Sequence, residues 1–326
     1  MKTLVIGSDG YVGVEICKLL RKISQVSKID AGWFGILDPT TIVADIRDIV
    51  DSHDFSVYDS IVYLAAVSND PMGNSFSKLT HIINHETAIQ VAKLSKSQGV
   101  RKFIFASSCS AYGAGGNSAR QEIDTLNPLT DYAHSKVNAE ADLYKIADEN
   151  FNIYCLRFAT ACGSSDNLRL DLVVNDFVAS AITEKKIKVL SNGEPFRPLI
   201  SVKDMGRAIN GVVLSNQRSD RVYNVYNVGS NEFTFRIRDL AHSVASHLSF
   251  TPDVEINYAA ALDSRSYKVD FEKFTKDFPK FTPTQNLSEV VNELERQITK
   301  LVSMKGLDYK TWIPHNRLTA LKLFFG

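Results

Sequence analysis

The sequence has few cysteines, no surplus of charge and no long apolar run. Its 326 residues include four cysteines, and their lack of C-x-x-C spacing favours reduced thiols in a reducing compartment. Thirty-seven basic residues balance thirty-seven acidic ones, so no overall field favours nucleic acid or an anionic membrane. No apolar run approaches the roughly 18 residues of a membrane span, and only six residues precede the first glycine, too few for a signal peptide. We therefore expect a cytoplasmic protein that contacts neither nucleic acid nor membrane.

What the sequence does contain is an alternation of apolar runs and amphipathic segments through its first half. The runs that predict strands are 3–6, 27–30, 60–66, 102–108 and 151–159. Apolar residues at helical spacing separate them, most clearly over 81–99 and after Tyr132. Continuous apolar strands that alternate with helices predict a parallel sheet covered on both faces, the doubly wound α/β (Rossmann) fold.

The alternation of apolar runs and amphipathic segments ends at about residue 163, beyond which loops and short strands such as "IKVL" are predicted. We predict a Rossmann domain over 1–165, with a return segment near 200–230, and a smaller C-terminal α/β substrate-binding lobe over 166–326. Ligands of this architecture bind at the carboxyl ends of the strands, so the cleft between the two parts is the expected site.

A glycine loop follows the first predicted strand. Gly7, Gly10 and Gly13 form a G-x-x-G-x-x-G variant of the dinucleotide fingerprint, in which glycine permits a tight turn and a close approach to pyrophosphate. Asp30 ends the second strand, where a carboxylate binds ribose hydroxyls, and the following "AGWFG" offers no arginine for a 2′-phosphate. NAD is therefore predicted rather than NADP. Asp9 adds a negative charge to this loop, which either points outward or weakens cofactor binding.

A tyrosine and a lysine stand four residues apart in "DYAHSK". On a helix, Tyr132 and Lys136 would share one face, with the ammonium in reach of the phenol's surroundings. The spacing alone is a weak pattern, and most such pairs are solvated surface residues.

Together these segments resemble the extended short-chain dehydrogenase/reductase family, the NAD-dependent nucleotide-sugar epimerase/dehydratase group. The motifs that carry the resemblance are the loop 7–13, "ADIRD" (44–48), "YLAAVSNDP" (63–71), Asn84, "FASSCSAYG" (105–113), "NPLTDYAHSK" (127–136), "LRFATACG" (156–163) and "RPLISVKD" (197–204). The cofactor-binding residues that the resemblance implies are Gly7, Gly10, Tyr11, Val12, Gly13, Asp30, Asp45, Ile46, Leu64, Ala65, Ala66, Tyr132 and Lys136.

The resemblance also assigns the chemistry. It implies that Tyr132 is the acid/base, that Lys136 holds the nicotinamide ribose and that Ser108 binds the reacting oxygen, with Ser107 and Ser110 as competitors for that last role. An ordinary tyrosine has a pKa near 10, but an adjacent ammonium and a cationic nicotinamide both favour the phenolate.

Several positions depart from the family pattern. The family's sugar 4,6-dehydratases place an Asp-Glu pair directly after the hydroxyl residue, whereas this chain has Cys109 and Ser110 there. Dehydration is therefore disfavoured, and oxidation, reduction or epimerisation through a ketone is favoured. Thr160 stands where many relatives have asparagine, so substrate contacts there are expected to differ.

The predicted substrate is a nucleotide-diphosphate sugar. The resemblance assigns Arg197, and less directly Arg265, to the diphosphate, which suits arginine's planar fork. Asn175 is a candidate contact to diphosphate or sugar, and Ser68 and Asn69 are candidate sugar contacts, although "SNDP" is also an ordinary turn sequence.

A metal site is not expected at the histidine pair His81 and His85. They stand four apart, but the glutamate that a zinc protease would need does not follow His81.

The first functional hypothesis is an NAD-dependent epimerase that acts through a transient keto-sugar by Tyr/Lys/Ser-assisted hydride transfer. A nucleotide-sugar dehydrogenase or 4-ketosugar reductase with the same site is the close alternative. A non-catalytic dinucleotide sensor would have no use for Ser108, Tyr132 and Lys136. The resemblance further implies a homodimer formed through helices of the sheet domain.

Overall fold

The structure, a computed structural model, describes residues 1–114, 116, 118–215, 222–261, 265–305 and 316–325. The strands are β1 (Lys2–Ile6), β2 (Gln25–Asp30), β3 (Ile42–Val43), β4 (Ser60–Tyr63), β5 (Lys102–Ser108), β6 (Ala119–Arg120), β7 (Asn152–Phe158), β8 (Thr160–Cys162), β9 (Lys186–Val189), β10 (Phe196–Ser201), β11 (Tyr223–Val228), β12 (Thr234–Arg236), β13 (Asp253–Ile256) and β14 (Lys268–Val269). The helices are α1 (Tyr11–Leu20), α2 (Ile46–Ile49), α3 (Asp70–Ser75), α4 (Ser77–His81), α5 (Ala88–Ser97), α6 (Asp131–Ile146), α7 (Val173–Glu184), α8 (Val202–Leu214), α9 (Ile237–His247), α10 (Glu272–Asp277), α11 (Leu287–Lys305) and α12 (Arg317–Phe325).

The main sheet has seven strands, all parallel, in the order β11-β7-β5-β4-β1-β2-β3. Its central strands are buried on both faces, which explains their continuous apolar runs. The strand order reverses between β1 and β4, and a crevice for ligands opens at such a reversal. The predicted doubly wound fold is confirmed.

A return segment completes this sheet from the second half of the chain. Ser201 caps α8 by accepting hydrogen bonds from the backbone N–H groups of Lys203 and Asp204. The helix then packs on α1 so closely that a Cβ on Gly206 would lie 2.6 Å from Leu19 Cδ1, and β11 pairs with β7 at the sheet edge. The residue-by-residue domain division at 165/166 stays a prediction.

Most of the strands outside the main sheet lie in the second half of the chain and belong to the smaller lobe. Strands β12, β10 and β8 make one small sheet, and β13 and β9 pair in parallel as another. At its end, α12 returns to the sheet domain, where Leu318 and Leu321 pack into an apolar cluster with Val67, Met72 and Ile83. The last described helix therefore lies beside the loop that leaves β4.

The single helix predicted over 81–99 is divided in the structure. It comprises the end of α4, a π-helical segment Ile82–Thr87, and α5. Asn84 in the π-helical segment is fully buried, accepts a hydrogen bond from Val67 N at 2.9 Å and donates to Val67 O and Ser135 Oγ, both at 3.0 Å. The widened turn thus ties the loop after β4 to α6, a use typical of π-bulges near functional sites.

None of the described helices combines the length and apolar character needed to cross a membrane.

Candidate active site

A cavity of about 350 Å³ opens at the carboxyl ends of the main-sheet strands. Its lining includes residues from the ends of β1, β2, β5 and β7 and from the loop directly after β4, together with α6 and the smaller lobe. All of the residues predicted to bind cofactor line it. The topological reversal of the sheet and the predicted site therefore coincide.

The glycine loop forms the floor of the cavity beneath the N-terminus of α1. Gly7 has φ +86°, and a Cβ there would lie 2.6 Å from Ala65 N. A Cβ on Gly13 would lie 2.2 Å from Gly7 O, so this glycine lets the helix pack on its own loop. Gly10 lines the cavity and has no such crowding, its nearest atom being Gly7 O at 3.5 Å. The cradle therefore fits a dinucleotide pyrophosphate, which needs close backbone approach and a helix N-terminus.

Substitutions of Gly13 and Gly10 should have different effects on stability and on NAD binding. We expect Gly13→Ala to lower the free energy of unfolding by about 2 kcal/mol or more, because the added methyl overlaps the Gly7 carbonyl. Gly10→Ala has room within the protein and should change stability by less than about 1 kcal/mol, yet it should weaken NAD binding at least about tenfold because it projects into the ligand's space. Urea unfolding and calorimetric titration with NAD measure both. Equal stability of the two variants would contradict this assignment.

Asp9 is turned away from the cavity. Its buried carboxylate accepts hydrogen bonds from Leu37 N at 2.9 Å and Thr41 Oγ1 at 2.7 Å, and it lies 3.1 Å from Lys28 Nζ. Burial alone would raise its pKa, but the hydrogen bonds, led by the one from Thr41, hold the pKa of Asp9 below its usual value. The carboxylate thus anchors the loop after β2 instead of opposing a phosphate.

Asp30 lies at the end of β2 and lines the cavity. Its two carboxylate oxygens accept hydrogen bonds from Asp9 N and Gly32 N, both at 2.9 Å, and burial raises its pKa. Across the same part of the cavity, Asp45 accepts from Arg47 N and caps α2, which begins at Ile46. These groups form the end of the cavity opposite Tyr132, Lys136 and Ser108.

Tyr132, Lys136 and Ser108 meet at the other end. Lys136 is only 2% exposed, and its ammonium donates to Ala106 O at 2.8 Å and lies 5.8 Å from the centre of the Tyr132 ring. Burial lowers the pKa of Lys136 to about 7, although Glu140 opposes this. Burial also raises the pKa of Tyr132 to about 12, while a hydrogen bond with Ser108 lowers it and the charge of Asp70 raises it further. The phenol of the free protein is therefore not yet a base at neutral pH.

The three candidate serines differ in their partners. Ser107 donates to the buried Glu140 carboxylate, which also binds Arg157 with Nη2–Oε2 at 2.6 Å. Ser108 Oγ faces Tyr132 and accepts from Ser110 N at 3.1 Å. Ser110 lines the cavity, and its hydroxyl has no hydrogen-bond partner among the described residues. Ser107 is thus committed to the protein interior, and Ser108 is the hydroxyl that lowers the pKa of the phenol.

The predicted substrate residues fall into three positions. Ser68, Asn69 and Arg197 line the main cavity. Arg265 lines a small adjoining cavity, where its Nη1 donates to Asp70 Oδ2 at 2.7 Å. Asn175 lines neither cavity and is fully buried, and its direct contact with diphosphate or sugar stays a prediction.

The amide of Asn175 is used within the protein. It accepts from Gly163 N at 2.9 Å and donates to Arg169 O at 2.7 Å and to the Tyr11 hydroxyl at 3.1 Å. Tyr11 in turn donates to Gly163 O at 2.7 Å. Asn175 therefore joins the start of α1 to the loop after β8 and helps to position Tyr11 and Arg169, which line the cavity.

Sequence reasoning missed several residues of the cavity. Arg169 lines it, with Nε donating to Asp171 Oδ1 at 2.6 Å and Nη1 to Ser68 Oγ at 2.8 Å. Tyr267 and Arg317 line it from the second half of the chain. Arg169 shortly follows a recognised motif, which could have drawn attention to it, but no local pattern marks the other two.

The histidine pair has acidic neighbours. His85 Nε2 lies 2.7 Å from Asp142 Oδ2, and His81 Nε2 lies 3.2 Å from Glu86 Oε1. Across the part of the chain that the structure covers, no three His, Cys, Asp or Glu side chains are grouped as a metal site would require.

Comparison with solved structures shows the same fold. The chain is similar to the protein in "MoeE5 in complex with UDP-glucose and NAD", with a TM-score of 0.79 and 20% identity over 92% of this chain and 100% of that one. It is also similar to the UDP-glucose 4-epimerase of Thermus thermophilus in complex with NAD, with a TM-score of 0.78 and 19% identity over 92% of this chain and 99% of that one.

Sequence relatives and a family profile give the classification. An uncharacterised UDP-glucose epimerase, YtcB of Bacillus subtilis (strain 168), is 23% identical over 65% of this chain and 72% of its own length. A UDP-glucose 4-epimerase of Halalkalibacterium halodurans is 28% identical over 52% of this chain, and this match spans only 54% of that relative. The profile of the NAD dependent epimerase/dehydratase family matches residues 3–229. The chain therefore belongs to the NAD-dependent epimerase/dehydratase family, which confirms the resemblance, the NAD cofactor and the enzymatic class predicted from its sequence.

Proposed function

We propose that this protein is an NAD-dependent epimerase that acts on a UDP-sugar and inverts the configuration at C4 of the sugar. The observation that carries the proposal is the meeting of Tyr132, Ser108 and Lys136 in one cavity with the glycine loop. The names of the sequence relatives, among them UDP-glucose 4-epimerases, support this substrate class.

The cofactor end of the cavity would hold NAD through the glycine loop and through Asp30. The N-terminus of α1 faces the space that a pyrophosphate needs, and the Asp30 carboxylate suits ribose hydroxyls. When bound, NAD supplies a hydride acceptor that can return the hydride to the same carbon.

The reactive residues would manage the proton of the sugar hydroxyl. Tyr132 takes that proton as the carbon is oxidised and gives it back when the ketone is reduced, while Ser108 holds the reacting oxygen. Because the Tyr132 pKa is about 12 in the free protein, this role requires a positive charge near the phenol in the complex. Lys136 is one nearby cation, 5.8 Å from the centre of the Tyr132 ring, and Glu140, four residues on, favours its charged form. Arg169 is a second, and its charge lowers the pKa of the phenol.

The residues after Ser108 favour reversible oxidation over elimination of water. Cys109 is buried, its thiol donates to Arg157 O at 3.1 Å, and burial raises its pKa far above the usual value. A buried neutral thiol held by a backbone carbonyl cannot serve as the additional acid or base that dehydration needs. Ser110 offers only a hydroxyl.

The two arginines predicted to bind diphosphate, Arg197 and Arg265, have different surroundings. Arg197 lines the cavity and stacks 5.6 Å from the centre of the Tyr267 ring, which suits a diphosphate contact. Arg265 is paired with Asp70, so it would have to exchange that carboxylate for a phosphate to take the predicted role. Asn69 caps α3 by accepting from Met72 N at 2.8 Å, and Ser68 Oγ accepts from Arg169 Nη1 at 2.8 Å, so both predicted sugar contacts already have a partner in the protein. The homodimer stays a prediction.

Incubation with a panel of UDP-hexoses and UDP-uronic acids tests the proposal. We expect a C4 epimer to form without net accumulation of reduced cofactor, because each hydride removed is returned. Product isomers are resolved by chromatography while the absorbance of reduced NAD is followed. Reduced NAD formed in proportion to product would instead indicate a dehydrogenase, and turnover of no panel member would refute the proposed substrate class.

A further inference from the structure

Arg317, the first residue of α12, brings a guanidinium to the cofactor end of the cavity from outside the residues matched by the family profile. It is only 2% exposed, although arginine is almost never buried without full pairing. Its guanidinium carbon lies 4.2 Å from the centre of the Phe34 ring, in the loop that follows Asp30. The apolar contacts of Leu318 and Leu321 hold the helix that presents it.

The hydrogen bonds of Arg317 are incomplete. Nη2 donates to Asn167 Oδ1 at 2.6 Å and to Asn167 O at 3.3 Å. Nη1 is buried and has no hydrogen-bond partner among the residues that the structure describes. A buried charged donor without an acceptor is costly, so we expect a further group to accept a hydrogen bond from Nη1.

Asn167 connects this guanidinium to the glycine loop. Its Nδ2 donates to Asp9 O at 2.5 Å, while its Oδ1 accepts from Arg317. One asparagine side chain therefore bridges the arginine and the loop backbone. The guanidinium thus stands beside the loop that would cradle the pyrophosphate.

The other cations that line the cavity are engaged elsewhere. Lys136 donates to Ala106 O at the reactive end, and Arg169 forms an ion pair with Asp171. Arg197 stacks on Tyr267 at the substrate end. A doubly charged pyrophosphate at the glycine loop would gain most from Arg317, since charge-assisted hydrogen bonds to phosphate are the strong ones.

We propose that Arg317 completes the dinucleotide site by donating hydrogen bonds from its unpaired Nη1 edge to the pyrophosphate of NAD. The C-terminal helix α12 is then part of the cofactor site, and this inference rests on the proposed NAD-binding role of the glycine loop. Arg317 is a binding residue here and takes no part in proton transfer.

Calorimetric titration of the cofactor-free full-length protein with ADP-ribose tests the proposal without any sugar turnover. We expect Arg317→Met to weaken ADP-ribose binding about 10- to 100-fold, the range for losing a hydrogen bond between charged groups. Arg317→Lys should recover part of the affinity because it keeps the charge. Lys322→Met removes the same charge from an exposed position of the same helix and should leave the affinity unchanged.

Adenosine, measured by displacement of ADP-ribose, separates a charge contact from a shaping role. It presents the same base and ribose without phosphate, so its affinity should be equal in wild type and Arg317→Met. Unchanged ADP-ribose affinity, or an equal loss for adenosine, would overturn the proposal. If Arg317→Met does not fold, Arg317→Gln, which can still donate to Asn167, should show the same selective loss. Failure of the wild type to bind ADP-ribose would instead refute the proposed cofactor site.

Discussion

Tyr132→Phe should lower the rate of sugar epimerisation about 10²- to 10⁴-fold while leaving NAD affinity within a few fold of wild type. The reason is that proton transfer by a positioned side chain contributes a factor of this size, and the variant removes only the hydroxyl. Single-turnover measurement with saturating UDP-sugar gives the rate, and calorimetry gives the affinity. Intact turnover in the variant would mean that another group moves the proton.

The pH profile provides a second readout for the same substitution. Burial raises the pKa of Tyr132 to about 12 in the free protein, so only its deprotonated form, which becomes more abundant as pH rises, can act as the base. We expect the wild-type rate to increase with pH up to the phenol's pKa in the complex. The residual rate of Tyr132→Phe should not show this increase. Tyr226→Phe is the matched control, since its hydroxyl bonds Asp277 at 2.9 Å away from the cavity and its loss should not change the profile.

Lys136→Met should lower turnover at least about a hundredfold and also change how stability depends on pH. The catalytic loss follows from removing the cation that stabilises charge near Tyr132. Lys145→Met is the control, because this lysine lies in the same helix α6 with its side chain 71% exposed. It should leave turnover, and the pH dependence of stability between pH 7 and 10, unchanged.

The direction of the stability effect follows from proton binding. Burial lowers the pKa of Lys136 to about 7 in the folded protein, whereas a lysine in the unfolded chain keeps a pKa of about 10.4. Between these values the unfolded state binds more protons, so this residue makes the free energy of unfolding rise with pH. Relative to Lys136→Met, wild type should therefore gain up to about 4 kcal/mol between pH 7 and 10.

Urea unfolding of cofactor-free protein at several pH values measures that difference. The variant leaves the Ala106 carbonyl without the ammonium that it binds, so the slope with pH, and not the absolute difference, is the diagnostic quantity. Parallel pH dependences for wild type and Lys136→Met would show that the buried ammonium is charged at no cost.

The fold and the proximity of Tyr132 to Lys136 were predictable because their signals are local. Each parallel strand is a continuous apolar run, and the glycine loop lies within a dozen residues of β1. Tyr132 and Lys136 share a helix turn, so their proximity follows from spacing alone. The division of 81–99 around a π-helical segment was not predictable, because it depends on how Asn84 bonds Val67 and Ser135.

Long-range contacts decided the features that the sequence left open. Asp9 could have opposed a phosphate, and only its contacts with Lys28 and Thr41 show that it anchors a loop instead. Asn175 is a predicted substrate contact, and only the structure shows that its amide also bonds Gly163, Arg169 and Tyr11. In both cases the chemistry of the side chain was evident, but its direction was not.

The sequence by itself determined the doubly wound sheet, the NAD-dependent family and the residues expected to react. Periodicity, glycine spacing and motif order are properties of short segments, so they can be read without knowing what those segments touch. Only the tertiary structure decided which groups face the cavity and brought Arg317 to the glycine loop, because that loop and α12 lie at opposite ends of the chain. Apolar packing of α12 against the loops after β2 and β4, which no local pattern encodes, makes that meeting possible.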